Sequence, residues 1–513
     1  MGLLVLDTSY VGSAALFGCV FVVLWYLWNL LRGLPAGLPP GPRWCRLPVV
    51  GSLPWIDNKQ MHTQLRDWAK VYGGIYHLQM GNLLAIVLHD LNLIKKTFAM
   101  DECSGRPDTA LLNYYTQNRT LGVLFSQGDV WRENRRFTLS CLRDFGMGKF
   151  TLESKISEEV KILLEVFEHE DNVTGFDPHC HVITSISAII CSIVFGKHYT
   201  HDDPDFRQYL SVLDEQVEYL SNGAAVSFLP FLGALPGSPL TKFKNNWDWL
   251  RTVWLEKEIE EHKQTIDANH PRDFIDCYLI KMQAMENSEG KSRSCMSEKQ
   301  LTTLVADLFG AGTETTSNTL TWGLLYMMRY PHVQQKIQAE LDDVVGRGRL
   351  PTTKDKPDLP YTHATVLEIL RCSTVVPLGV LRATTQDTTL AGYDIPKHAV
   401  LIPNLWAVSH DPRYWDKPDE FRPERFLDAD GKVMTNREAL ILFSSGTRIC
   451  LGELLARAEV FLYIACVLQR FTIAPPEGST MPDERGKLGI TWAPLSYKLN
   501  CDCSLKQRCS IWY

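Results

Sequence analysis

Phe443-Ser444-Ser445-Gly446-Thr447-Arg448-Ile449-Cys450-Leu451-Gly452 joins a glycine-bearing loop to a run with helical apolar spacing, Leu451 to Leu468. A thiol at that junction faces the positive end of a helix dipole and free N–H donors, both of which favour thiolate. Gly446 and Gly452 allow backbone to approach a flat ligand closely. Arg448, two residues before the cysteine, can reach a carboxylate on the same ligand with its planar, permanently charged fork. The chain holds 14 cysteines. The rest lack this setting and read as buried free thiols of a reducing compartment, because disulfide frameworks belong to small secreted chains.

Three upstream stretches add chemistry. Glu368 and Arg371 are three apart on a helical pattern and share a face, so they can pair; on spacing alone they are also readable as an exposed ion pair. Ala311-Gly312-Thr313-Glu314-Thr315-Thr316 sits inside a helical stretch from about Leu301 to Met328. Gly and Thr are poor formers there, and hydroxyls can bond back to carbonyls, so the spacing predicts a local distortion with room for a small ligand. An acid beside an alcohol can organise proton delivery through water; a polar patch on a surface helix is the plain alternative. Trp131 and Arg135 stand four apart on one helix face.

Phe443, Gly446, Arg448, Cys450 and Gly452 fill every fixed position of F-x-x-G-x-R-x-C-x-G, and this segment resembles the cysteine loop of the cytochrome P-450 superfamily. The resemblance implies haem, with Cys450 as the axial thiolate; such ligation donates electron density and favours O–O cleavage. Glu368 and Arg371 are similar to the family's E-x-x-R pair, and Pro423-Glu424-Arg425-Phe426 to the segment that supplies its third member. A structural Glu368–Arg371–Arg425 network is therefore implied on the cysteine side of the haem. Ala311 to Thr316 resembles the oxygen-binding helix, which makes Glu314 and Thr315 the catalytic acid–alcohol pair. Trp131 and Arg135 resemble W-x-x-x-R, which reaches a haem propionate. Arg106, Arg382 and Arg448 join them around the cofactor with Phe443, although Leu381 replaces the proline that relatives often carry before position 382. Family position assigns Leu308, Ala311, Val376, Val380, Ile490 and Thr491 to the substrate pocket. The prolines before Val49-Val50-Gly51 and the run Arg143 to Lys149 look like the second microsomal family. Arg132, Arg136 and Arg143 are candidate contacts for an acidic electron donor.

The expected fold is a single large domain, mainly α with minor β. Helical patterns run over Leu152 to Glu168 and Leu250 to Lys263, and strand-like runs over Ile75 to Val87, Thr388 to Tyr393 and Val400 to Pro403. Composition is ordinary for a globular chain of 513 residues, 45% hydrophobic and 22% charged. A net charge of −7 argues against nucleic acid as the main partner. Val11 to Leu31 carries no charge, long enough to cross a bilayer as a helix. Basic residues follow it, at Arg32, Arg43 and Arg46, which places the body in the cytosol. The expected organisation is a signal anchor over 1–32, a proline-stiffened connector over 33–54, the haem-thiolate domain over 55–500 and a frayed tail over 501–513, on the endoplasmic reticulum membrane. The expected activity is insertion of one atom of dioxygen into a small apolar substrate (steroid, fatty acid, terpenoid or xenobiotic). Electrons would come from NADPH through a flavoprotein reductase, with cytochrome b5 as a further partner. The alternatives are a haem-thiolate isomerase or dehydratase, which forms product without NADPH, and a non-catalytic haem-binding protein, which shows no turnover with reductase.

Overall fold

Apolar residues at helical spacing become long helices through the centre of the chain. The computed structural model describes residues 16–503 apart from 22, 25–36, 43–45, 48, 145–149, 172, 223 and 288–294. Among its helices are α1 (Met61–Tyr72), α2 (Gly128–Asp144), α3 (Phe150–His169), α4 (Pro178–Val194), α5 (Pro204–Asn222), α6 (Glu298–Arg329), α7 (Pro331–Val344), α8 (Pro360–Ser373) and α9 (Glu453–Arg470), of which α2, α4, α6, α8 and α9 line the site.

The core is helix on helix. Helix α4 is apolar on nearly every side from Val182 to Val194 and is buried almost throughout, as a helix without a polar face must be. Asp177 accepts the His179 amide and Pro178 opens the first turn, two start signals that act together. Helix α4 lies against α6, where a Cβ at Gly312 would stand 2.7 Å from Ile190 Cδ1; glycine there lets the two backbones approach. Helix α6 starts at Ser297, whose hydroxyl accepts the Gln300 amide. It runs unbroken through Ala311–Thr316 to Arg329, so the distortion expected at Gly312 is not a break. The hydroxyls of Thr315, Ser317, Thr319 and Thr321 turn back to carbonyls four residues earlier, which satisfies them without interrupting the helix.

Among the described residues, ten short strands complete the domain. Strands β1 (Ile75–Met80), β2 (Leu83–Leu88), β3 (Arg382–Ala383) and β6 (Val400–Pro403) form a sheet in the order β1-β2-β6-β3. The β1–β2 hairpin pairs Ile75 with Leu88, β2 and β6 run parallel, and β3 is antiparallel to β6. Strands β4 (Thr388–Leu390) and β5 (Tyr393–Ile395) pair with each other, as do β8 (Gly486–Leu488) and β9 (Trp492–Pro494). Strand β7 (Phe471–Ala474) pairs with β10 (Asn500–Cys503). This is the expected mainly helical fold with minor sheet.

Three sequence expectations need correction or restriction. A frayed tail beginning at 501 does not hold for Cys501–Cys503, because Phe471–Ala474 supplies a strand partner and Cys501 is buried. The helix expected over Leu250–Lys263 opens as a wide π turn, Leu250–Leu255, before Glu256–Thr265 continues as α-helix. The span Val11–Leu31 lies largely outside the described residues; among those described, no helix is long and apolar enough to cross a membrane.

Candidate active site

The cysteine loop is held from both sides. Gly446 takes a positive φ of 71°, and a Cβ there would collide with the Phe98 carbonyl. The close approach of the Phe98 backbone therefore requires glycine at this position. Nothing lies within 4 Å of a Cβ at Gly452, which leaves that side of the loop open. The Cys450 amide donates to the Phe443 carbonyl at 3.0 Å, bringing Cys450 to the start of α9. No side chain caps this helix; the amides of Gly452 and Glu453 donate to Sγ. Burial pushes the Cys450 thiol up, while those amides and Arg135 pull it down. Cys450 is nevertheless solvent-accessible, because it faces a cavity of about 280 Å3.

Four guanidiniums converge on the same cavity. Arg448 donates from Nε to the Ser104 carbonyl at 2.9 Å and from Nη2 to the Ser126 carbonyl at 2.7 Å. Its plane lies 4.1 Å from the Trp131 ring centre, and Nη1 is buried without a partner. Arg382 is held by the carbonyls of Phe98 and Ser445, Arg106 by those of Leu124, Val380 and Leu381, and Arg135 by that of Ile449 at 2.6 Å. Among the described residues none of the four makes an ion pair. Burial, then mutual repulsion, pushes Arg448 down to about 7 and Arg382 down to about 9. Arg106 is pushed down to about 10 by burial and Arg135, against the pull of Asp307. Uncompensated buried cations are costly, so this wall calls for an anion with several acceptor oxygens. A flat tetrapyrrole bearing two propionates fits that donor set, with Cys450 on one face.

Leu308, Ala311, Gly312, Thr315 and Thr316 of α6 line the same cavity, together with Val376 and Val380. Glu314, Ile490 and Thr491 stand beside this cavity, not on its wall. Glu314 Oε1 accepts from Asn318 Nδ2 and from the Thr491 hydroxyl, both at 2.8 Å. The Ile490 amide donates to Ser221 Oγ. Phe443 lines the cavity, and the Arg457 guanidinium stacks on its ring at 4.8 Å.

Two carboxylic acids on the cavity wall have no motif. Asp307 accepts from the amides of Val123 and Leu124 and from the Tyr115 hydroxyl, which ties the 122–124 loop to α6; burial pushes it up to about 6. Glu459, on α9, is fully buried. Thr316 donates to it, Oε1 has no partner, and burial pushes it up to about 8. Their signals are long-range contacts, so a scan for local spacing does not find them.

Glu368, Arg371 and Arg425 do come together. Arg371 grips Glu368 with Nε and Nη2 at 2.7 and 2.8 Å, and Arg425 Nε reaches Glu368 Oε1 at 3.0 Å. Their remaining N–H groups find the carbonyls of Ser409, Pro418, Asp416, Lys417 and Glu420.

The sequence profile of the family described as Cytochrome P450 matches residues 39–501. This chain belongs to the cytochrome P450 family. Human cytochrome P450 2J2 is 40% identical over 484 residues, 93% of each chain. Rat cytochrome P450 2J3 is 40% identical over 470 residues, 91% of each. Rat cytochrome P450 2U1 is 37% identical over 508 residues, 94% of each. The P450 family implies a haem cofactor, and the chain is a P450 monooxygenase related to members of the second family.

Proposed function

We propose that this P450 uses electrons from NADPH, passed through a flavoprotein reductase, to place one oxygen atom on a small apolar substrate at the endoplasmic reticulum membrane. The convergence of four ion-pair-free arginines and Cys450 on one cavity carries the cofactor assignment. Arg106, Arg135, Arg382 and Arg448 would hold the propionates, with Trp131 backing Arg448, and Cys450 would supply the thiolate that holds the iron. Bound haem supplies the iron at which dioxygen is activated. The amides of Gly452 and Glu453 stabilise negative charge on Sγ. Leu308, Ala311, Val376 and Val380 exclude water and receive an apolar substrate, since ligand sites are mostly apolar with a few placed polar groups. Thr315 offers a hydroxyl on the cavity side, parked on the Ala311 carbonyl at 2.9 Å. Glu314, one residue away, holds or releases a proton beside it. Arg132, Arg136 and Arg143 are exposed on α2, the helix that also carries Arg135, and form a basic face for an acidic reductase; cytochrome b5 would meet the same charge.

The deciding experiment is the reduced, carbon-monoxide-bound spectrum of wild type and Cys450→Ala. Wild type should show a strongly red-shifted Soret band and the variant should lose it. A wild type without the band, or a variant that keeps it, refutes the thiolate assignment. Thr315→Ala should keep the band and lose product per NADPH consumed, by about tenfold or more if the hydroxyl serves proton delivery. Unchanged coupling would remove Thr315 from the mechanism.

A further inference from the structure

The helix Phe274–Glu286 packs against α2 through aromatic rings. Phe137 of α2 meets Phe274 edge-on with ring centres 5.6 Å apart, and Tyr278 at 5.3 Å. Cys141 stands one turn beyond Phe137, and Cys277 three residues beyond Phe274. Residues three and four apart share a helix face, so both cysteines lie on the faces that these rings join. Their side chains meet there in a thiol–thiol hydrogen bond. Helix α2 is also the helix that brings Trp131 and Arg135 to the cavity.

The two thiols are not equivalent. Cys141 is 3% exposed, whereas Cys277 keeps part of its surface accessible. Their hydrogen bond pushes Cys141 up and pulls Cys277 down, so the proton stays on Cys141 and Cys277 is the sulfur that ionises. Burial and the carboxylates of Asp273 and Asp144 act the other way on Cys277; the Cys141 S–H is the donor that outweighs them. A thiolate is the form that attacks an oxidant. A second thiol in contact with it turns the first oxidation product into a disulfide. In a reducing compartment such bonds are transient and redox-sensing, not permanent staples.

We propose that Cys141 and Cys277 are a redox modification site, at which hydrogen peroxide converts the thiol pair into a disulfide that clamps α2 to the helix Phe274–Glu286. The Cys277 thiolate attacks one peroxide oxygen. An S–O bond forms, the O–O bond breaks, and the departing hydroxide takes up a proton as water. Cys277 is thereby oxidised by two electrons to the sulfenic acid. Cys141 Sγ then attacks Cys277 Sγ. The S–S bond forms, the S–O bond breaks, and hydroxide leaves with the Cys141 proton as a second water. One peroxide and two thiols thus give one disulfide and two waters. Two-electron reduction of dioxygen supplies this oxidant whenever electrons reach it without product forming. That source rests on the monooxygenase reading; the reaction of the pair does not.

The test treats the haem-loaded protein with hydrogen peroxide, and in parallel with diamide, which oxidises thiols without oxygen transfer. Digestion and mass spectrometry then map the cysteines. Wild type should yield a peptide linked through Cys141 and Cys277 that dithiothreitol separates. Its urea midpoint should rise on oxidation, because the crosslink restricts the unfolded chain. Cys141→Ala should stop at the sulfenic acid, so that dimedone labels Cys277. Cys277→Ala should leave Cys141 about tenfold or more slower to oxidise, since no thiolate remains to react first. Absence of the linked peptide from wild type, or no dimedone label on Cys277 in Cys141→Ala, overturns the proposal. A linked peptide without a higher urea midpoint overturns the clamp. The carbon-monoxide spectrum of each protein reports folding and haem loading. If wild type fails that spectrum the monooxygenase reading fails, and the diamide arm still decides the pair.

Discussion

Arg371 and Arg425 are buried as deeply as Arg382 and Arg448, with relative exposures of 0% and 6% against 1% and 8%, but the two sets differ in what neutralises them. Around Glu368 the protein supplies every partner. Burial pulls Arg371 down, and Cys372 and Glu368 more than reverse it, so that it stays above its usual range. Around the cavity the protein supplies carbonyl oxygens and the Ser444 hydroxyl but no paired carboxylate, and Arg448 is pushed down to about 7. A complete network belongs to the scaffold. An arginine cluster without a counter-charge is built for an anion that arrives from outside. The chemistry of a side chain does not separate the two; its partners do.

The largest effect expected is at the complete network. Glu368→Gln leaves two buried guanidiniums without their carboxylate, and breaking such a pair typically costs about 3–5 kcal/mol. Urea unfolding should show a loss of that size or no folded protein at all. A loss under about 1 kcal/mol would mean that the network does not hold the scaffold.

The incomplete cluster should respond with the opposite sign. Arg448→Leu removes a charge that the haem-free protein cannot compensate, so the haem-free form should gain stability, on the order of 1 kcal/mol. The haem-loaded form should weaken, seen as faster transfer of haem to an acceptor protein. If haem-free Arg448→Leu is less stable than wild type, carbonyl contacts already suffice for Arg448 and the contrast with Arg371 collapses.

What was legible in the sequence follows from range. The cysteine loop, E-x-x-R and W-x-x-x-R are contiguous or lie within one helical turn, so spacing alone brings their members together. That Trp131 would back Arg448, 317 positions on, was not legible, because only the packing of α2 against the cysteine loop creates the contact. The spacing shows that Gly446 allows close backbone approach but not that Phe98, in a helix far upstream, is a segment that makes it. Cys501–Cys503 reads as a tail because the four residues Asn500–Cys503 cannot announce a strand whose partner is Phe471–Ala474. Glu459 carries no local pattern, and its meaning depends on Thr316 being delivered by another helix.

Glu459 extends the same contrast to carboxylates, with a smaller effect. Glu368 accepts N–H groups from Arg371, Arg425 and the Arg422 amide, whereas Glu459 has one hydroxyl donor and an unpartnered Oε1. Its carboxyl rises from an ordinary 4.5 to about 8, chiefly through burial. Between those values the folded chain binds more protons than the unfolded chain. Stability linked to this group is therefore greatest below about pH 4.5 and declines as pH rises to about 8, beyond which it is level. Glu459→Gln removes the titration while keeping an acceptor for Thr316. The variant should match wild type near pH 5 and gain on it steadily toward pH 8, by a few degrees in melting temperature. A difference that does not change with pH would mean that Glu459 is ionised throughout and finds a counter-charge in the folded protein, as Glu368 does. It would then belong with the scaffold and not with the acids that the cavity leaves incomplete.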